Sequence, residues 1–193
     1  MGAHQKMDET STNVTGTYLI DRTHSRIGFV ARHAMVTKLR GSFNSFDGEG
    51  FFDADNPIRS HLYLRIDSSS VYTGNADRDA HVRRADFLDC DTYPEITFRS
   101  TAVSGEGDAR YRVRGDLTVK GVTRPVTVEL DYTGTVVDQE GRQRVGFEGH
   151  ATLRRSDWGV TWNAPLEAGG LLVSDKVDLE LDVSAILEET SAP

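Results

Sequence analysis

The sequence predicts an all-β fold: an antiparallel, up-and-down β-barrel of about eight strands closed around one apolar interior. Two observations carry this. From residue 15 to residue 187 the chain reads as strands with one dry face and one charged face, joined mostly by short turns, a pattern that cannot be buried on both sides. Only one stretch, near residues 77–88, departs from it with a helical pattern. A sandwich would also bury one face of each strand. Consecutive hairpins with no long crossover favour the meander, and hence the barrel.

The elements follow in order. Residues 1–14 are polar and aperiodic and read as an N-terminal tail, residues 15–187 as one domain, and residues 188–193 as a C-terminal tail. Thr17 to Ile20 is a short strand, followed by the polar corner Asp21-Arg22-Thr23-His24. In the next strand Ile27, Phe29, Ala31 and His33 share one face, opposite Arg26, Gly28, Val30 and Arg32. Residues 39–53 carry Phe43, Phe46, Phe51 and Phe52 among glycines and break the alternation. Either two strands around a glycine turn or one strand with a bulge would explain the break. Leu62, Leu64 and Ile66 then resume the period of two.

The helical stretch sits within residues 75–98. Asn75 or Asp77 can cap it, Asp77 and Asp79 suit the positive end of its dipole, and Pro94 stops continuation past Tyr93. Beyond it, Ile96, Phe98, Ser100 and Ala102 form one strand face. Tyr111, Val113, Gly115, Leu117 and Val119 form the next, and Gly121 turns the chain into Val126, Val128, Leu130 and Tyr132. Val145, Phe147, Gly149, Ala151 and Leu153 alternate again, as do Val177, Leu179, Leu181, Val183 and Ala185 at the end. Between these two strands, residues 155–170 are irregular, hold Trp158 and Trp162, and offer a second cover for an open barrel end.

The inward faces suggest a cavity. Ala31, Ser100, Ala102, Gly115, Gly149 and Ala151 are small where a packed core would be large, and Phe29, Phe43, Phe98 and Phe147 supply aromatic walls. Small residues offsetting large neighbours in a packed core would give the same composition.

Composition narrows the function classes. A formal net charge of −8 disfavours nucleic acid, whose phosphates reward clustered cations. Cys90 is the sole cysteine, so neither an internal disulfide nor a cysteine zinc motif is available. The first residues hold no apolar core of a signal peptide, and no apolar run of about 18 residues exists to span a membrane. The chain therefore reads as cytoplasmic.

Of the histidines, His4 lies in the tail, and no H-x-H or H-E-x-x-H pattern exists, so no metal site and no cofactor is expected. His24 with Asp21 and Ser25 has the residue types of a hydrolytic triad. Neighbours along an extended strand point apart, however, and polar rim residues are the simpler reading. Helical spacing puts His81 with Arg84 or Ala85, and Leu88, on one side. There a cation could meet an anionic head group while Phe87 and Leu88 touch hydrocarbon. A solvated face bridged to Asp77, Asp79 and Asp86 is the alternative.

These residues resemble a known family. Tyr18-Leu19-Ile20-Asp21 with His24-Ser25, Phe29, Arg32-His33 and Gly41-Ser42-Phe43 is similar to the opening of the YceI-like polyisoprenoid-binding proteins. So are Arg78-Asp79-x-His81, Ala85-Asp86-Phe87 and Tyr93-Pro94-x-Ile96-x-Phe98, then the run from Gly115 to Val126, and Arg155-Ser156-Asp157-Trp158-Gly159. The likeness covers about residues 17–185. It implies a lipocalin-like barrel that binds a long isoprenoid or similar amphiphile in its lumen as carrier or store, with no reaction catalysed. It also implies export in many relatives and a homodimer in some. The expected walls are Ile27, Phe29, Phe43, Phe98, Val113, Leu117, Val128, Phe147 and Ala151, with Phe87 and Trp162 nearer an opening and His81 and Arg84 at the head group. The rival is a small hydrolase or isomerase using His24, Asp21 and His81 at the rim.

Overall fold

In the computed structural model, residues 14–107, 109–167 and 169–188 are described. The expected tails, His4 included, lie outside the described residues apart from positions 14 and 188.

The strands in chain order are β1 (Gly16–Ile20), β2 (Arg26–His33), β3 (Thr37–Phe43), β4 (Phe46–Phe52), β5 (His61–Asp67) and β6 (Val71–Tyr72), then helix α1 (Ala76–Val82). After it come β7 (Glu95–Gly105), β8 (Arg110–Val119), β9 (Val122–Val137), β10 (Gln143–Arg154) and β11 (Lys176–Leu187). All pairings are antiparallel. Three pairs of segments act as single bent staves: β1 with β2, β3 with β4, and β5 with β6. With β7 to β11 as five more, the 11 strands make an eight-stave ring in chain order. The last stave closes it, since β11 pairs β2 through Asp178 to Asp182 and β1 through Ala185 to Leu187. Closure removes the free edges an eight-strand meander would present, apart from the mouth-ward part of β3, which β6 pairs only at Ser42 and Phe43.

The bends answer the questions the alternation left open. β3 and β4 do not pair with each other. Each continues the other across Asn44-Ser45, pairing with β2 and β1 respectively, so this stretch is one interrupted strand and no glycine hairpin forms. The β1–β2 corner is a one-turn 3-10 helix, Arg22–His24, capped by Asp21, whose side chain accepts from the Thr23 amide at 3.0 Å. In β7 a bulge between Ser100 and Ala102 shifts the register. An extra residue reverses the side-chain parity beyond it. Ala102 is therefore exposed and Val103 takes the inward place, against the expected face.

The helix is shorter than residues 77–88. It spans Ala76–Val82, with the Asn75 side chain accepting from the Arg78 amide at 2.9 Å. Beyond it a chain of turns, among them Cys90 N–H to the Arg83 carbonyl and Tyr93 N–H to the Asp89 carbonyl, carries the backbone to β7. Tracing the staves puts residues 73–94 and 155–175 at the same barrel end, together with the β2–β3 and β8–β9 turns. Both irregular stretches thus cover one mouth. Trp158 anchors the second, donating its indole N–H to the Leu117 carbonyl at 3.0 Å while 4% exposed.

Candidate functional site

A cavity of about 700 Å³ runs inside the barrel. Its walls are the inward residues of every stave, Ile27, Leu64, Val113, Val128, Leu179 and Val183 among them. At the end away from the helix, Phe52 meets Tyr111 and Phe147 edge to face, with ring centroids 5.3 Å apart in both pairs, and Tyr132 lies 5.6 Å from Phe147. These rings fill the foot of the barrel. Polar side chains enter the lining mainly at the opposite end, where Arg32, His33, Thr73, Asp77, Arg78, His81 and Arg155 border it.

Apart from Ala31, which borders the cavity, the small inward residues named from the sequence do not themselves make the room. The Phe98 ring lies over Gly115, the Phe29 ring over Gly41, and the Leu130 and Leu181 side chains over Gly149. Ser100 is engaged with backbone, its Oγ accepting from Leu62 N–H at 2.9 Å. The glycines let large neighbours lie flat against the sheet, and the cavity opens inside that layer.

Most of the expected lining residues border this cavity: Ile27, Phe29, Phe43, Phe87, Phe98, Val113, Leu117, Val128, Phe147, Trp162 and His81. Two do not. Ala151 is buried in the core cluster without reaching the lining, and Arg84 is exposed to solvent. Helix α1 has ended before Arg84, so the spacing that put it beside His81 no longer applies.

The mouth is an aromatic stack held by polar locks. His81 stands edge-on to Trp162 (centroids 4.5 Å) and to Phe87 (5.3 Å), and Phe87 lies 5.3 Å from Trp162. The far nitrogen of His81, Nε2, meets Asp86 Oδ2 at 2.9 Å. That hydrogen bond holds the Asp86 carboxyl below the usual range, against the opposing effect of burial. Thr73 gives its amide (2.9 Å) and hydroxyl (2.5 Å) to buried Asp79, and its carbonyl and hydroxyl oxygens accept from Arg78 at 2.8 and 2.7 Å. Asp79 therefore ties the helix to Thr73 in the segment before it.

Sequence reasoning missed Arg155. Its guanidinium donates to the carbonyls of Ser174 (2.9 Å), Val160 (2.7 Å), Trp162 (2.9 Å) and Val173 (3.3 Å). It also lies 5.8 Å from the Phe87 ring centroid. Burial pulls its pKa below the ordinary arginine value, and the field of Asp175 opposes that pull. This one side chain stitches residues 155–175 over the mouth. Only its place in the Arg-Ser-Asp-Trp-Gly block marked it beforehand.

The histidine–aspartate pair at the β1–β2 corner is a different structure. His24 Nδ1 meets Asp21 Oδ2 at 2.7 Å, so a 3-10 turn brings together what an extended strand would hold apart. Asp21 also accepts from Thr23 and from Arg144, whose Nε reaches Asp138 at 2.8 Å. Burial would raise the Asp21 carboxyl, but bonds from Thr23, Arg144 and His24 outweigh it and hold it well below the usual range. Ser25 turns away, donating to the Ser184 carbonyl at 3.1 Å. Neither Asp21 nor His24 borders the cavity that His81 borders, so the three residues of the enzymatic alternative share no site. Cys90 is buried, and that burial raises its thiol pKa, as for an inert packing residue. Among the described residues no helix is long and apolar enough to cross a membrane.

Known proteins share this architecture. The chain is 36% identical over 171 residues to a UPF0312 protein of Vibrio cholerae serotype O1, covering 88% of this chain and 86% of that one. It is 36% identical over 185 residues to protein YceI of Shigella flexneri, covering 95% and 93%. Among solved structures, Burkholderia cenocepacia BcnA superposes with a TM-score of 0.76 at 25% identity, over 86% of this chain and 98% of that one. A polyisoprenoid-binding domain from Saccharophagus degradans superposes with a TM-score of 0.65 at 17% identity, over 90% and 99%, a likeness of fold. The YceI-like domain model matches residues 18–185, from the strand that closes the ring to the one it closes against, and the chain belongs to the YceI-like domain family.

Proposed function

We propose that this protein binds a long-chain isoprenoid or a similar amphiphilic lipid in the barrel lumen, as a carrier or store, without catalysing a reaction on it. The observation that carries this reading is the lumen itself: about 700 Å³ bounded almost wholly by hydrocarbon and aromatic side chains, with most of its polar groups at the helix end. Such a space favours a ligand with an apolar body and one polar terminus. The Saccharophagus domain, named for polyisoprenoid binding, has the same fold and supports the choice of ligand class.

In this reading Ile27, Phe29, Phe43, Phe98, Val113, Leu117, Val128 and Phe147 contact the chain, Phe87 and Trp162 its mouth-proximal end, and His81 the polar terminus. Native mass spectrometry of gently purified protein, followed by solvent extraction, tests it. A bound species that extracts as a prenyl lipid is expected, together with uptake of added prenyl lipid by stripped protein. A barrel that is always empty and takes up none overturns it.

A further inference from the structure

We infer that the barrel mouth docks on an anionic lipid bilayer through the β2–β3 hairpin tip. The inference goes beyond lumen binding and rests on it only for what the docked protein would exchange. Met35 and Val36 form the tip and are 57% and 79% exposed; Leu171 is 50% exposed. The loop carrying Leu171 is tied to the same tip, because the Ala34 amide donates to the Leu172 carbonyl at 2.7 Å and His33 bridges Val173. Three large apolar side chains therefore protrude together at the end where the cavity opens.

The tip is held at a conformational disadvantage. Val36 N–H closes a two-residue turn onto the His33 carbonyl at 3.1 Å, and the central residues Ala34 and Met35 have φ of 49° and 61°. Such a turn ordinarily takes Asn-Gly, because side chains with a Cβ resist the left-handed region. Keeping Ala-Met there gives a protruding thioether that an unstrained turn would lack.

Charge selects the surface. Arg32 on β2 stands directly opposite Lys38 on β3, and Arg40 lies two residues farther along the same face. Like charges placed opposite one another destabilise a strand pair unless something else compensates them. Among the described residues none of Arg32, Lys38 and Arg40 has a carboxylate within 4.0 Å, whereas Arg65, Arg110, Arg112, Arg142 and Arg144 are each paired with one. Asp178 on neighbouring β11 feels Lys38, yet it is bonded by Thr152 at 2.7 Å and lies 3.3 Å from Lys176. The exposed acids of the two mouth segments are Asp77, Asp86, Asp91, Asp157, Glu167 and Asp175, of which Asp86 is bonded to His81 and Asp175 to Ser156. In a chain of net charge −8 this cationic face is local, so it orients the molecule with its mouth toward anionic phosphates. Exposed apolar side chains beside basic ones are the pattern of interfacial attachment.

The geometry also offers a way between bilayer and lumen. β3 pairs β6 only at Ser42 and Phe43, leaving its mouth-ward half without a strand partner on that side. A groove of about 390 Å³ lies there, lined by Lys38, Arg40 and Thr37 and joined to the lumen through His33, Leu39, Thr73 and Arg78.

Co-sedimentation of the full chain with vesicles of phosphatidylcholine, with and without 30% phosphatidylglycerol (roughly, a composition chosen to give a strongly anionic surface), is the test. Binding is expected to the anionic vesicles and to weaken with salt. Reversing Arg32, Lys38 and Arg40 one at a time should weaken it about fivefold or more per site. Ala34→Asn with Met35→Gly should raise the melting temperature by relaxing the turn and still lose binding. The Lys38, Arg40 and tip variants, none of them at a lumen-lining residue, must take up prenyl lipid from detergent micelles as the unmodified chain does, which separates failure of docking from failure of the lumen reading. Equal binding to neutral and anionic vesicles, binding unchanged in the tip and charge variants, or no vesicle binding with attachment of a protein partner at the tip instead would each overturn the inference.

Discussion

The ring of Phe98 on β7 lies flat over Gly115 on β8, so closely that a Cβ at position 115 would overlap its Cζ and stand 2.6 Å from the Arg99 carbonyl oxygen. The two residues sit two positions from direct opposition on the same face, Ser100 facing Gly115 and Phe98 facing Leu117. The glycine gives the phenyl ring a seat in the wall, and that seat sets how far the ring projects into the lumen.

Gly115→Ala is therefore a stability mutation. Backbone on one side and an immobilised ring on the other leave no cheap relaxation, and overpacking of this kind costs about 1–3 kcal/mol. Gly115→Phe should fail to fold to the native barrel rather than block it. Urea denaturation followed by tryptophan fluorescence checks both, and an unchanged midpoint for the alanine variant contradicts the seat.

A variant that does block the cavity has to grow from a wall residue with open space before it. Val183 on β11 is such a residue, partly exposed to the lumen and paired across the sheet with Phe147. Val183→Trp should reduce uptake of a long prenyl lipid at least about tenfold, the effect of losing roughly 1.4 kcal/mol or more of burial, while filling apolar space. Its melting temperature should stay near that of the unmodified protein. Full uptake with the indole in place would mean that the lipid binds elsewhere.

Much of this architecture was legible in the residues, and the exceptions have physical causes. The period of two located the staves because one face of each meets water and the other does not. It could not locate the bulge at Ser100 and Ala102, since one extra residue leaves no mark in composition, and so Val103 rather than Ala102 faces inward. Nor could it tell glycines that leave space from glycines that seat a ring, because the difference lies in the rotamer of a neighbour on the next strand. His81 and Phe87 were found from the helical stretch, and Trp162 from its place in the irregular segment. Arg155 was missed as a site element because a cation bonded to four carbonyls has no acidic partner in the sequence to betray it.

Arg155→Lys should loosen the cover over the mouth. Lysine keeps the charge but lacks the planar fork that reaches several carbonyls at once, leaving buried acceptors unsatisfied. A loss of about 1–3 kcal/mol is expected. Limited proteolysis within residues 160–172 should accelerate while the strands remain resistant. Cleavage no faster than in the unmodified chain would show that the loop does not depend on this side chain.

The network of Asp21, Arg144 and Asp138 predicts how the barrel responds to acid. Hydrogen bonds from Thr23, Arg144 and His24 hold Asp21 well below its ordinary value against its burial, and the Arg142 amide first, then Arg144, helps hold Asp138 at about 2. Both folded values lie under the unfolded ones. Their stabilisation is then fully present above about pH 4 and is lost as pH falls toward 2. Arg144→Met removes a shared partner, so its acid-unfolding midpoint should move upward while the neutral-pH fold persists. Coincident acid transitions for the two proteins would contradict the coupling.

The two tryptophans differ enough to serve as an internal probe. Both border the cavity, but Trp158 is 4% exposed with its indole N–H fixed on the Leu117 carbonyl, whereas Trp162 is only partly buried, in contact with His81 and Phe87. A lipid entering past the mouth changes the polarity around Trp162 and leaves Trp158 in its existing apolar surroundings. Addition of prenyl lipid should therefore shift tryptophan emission to the blue. The shift should vanish in Trp162→Phe and persist in Trp158→Phe, if that variant folds despite losing its indole hydrogen bond. Trp162→Phe keeps a ring against Phe87, so uptake measured by mass spectrometry should fall only modestly. A shift that survives in Trp162→Phe would mean that the lipid is sensed through Trp158 and not through Trp162, and the assignment of Trp162 to the mouth-proximal end of the ligand would fail.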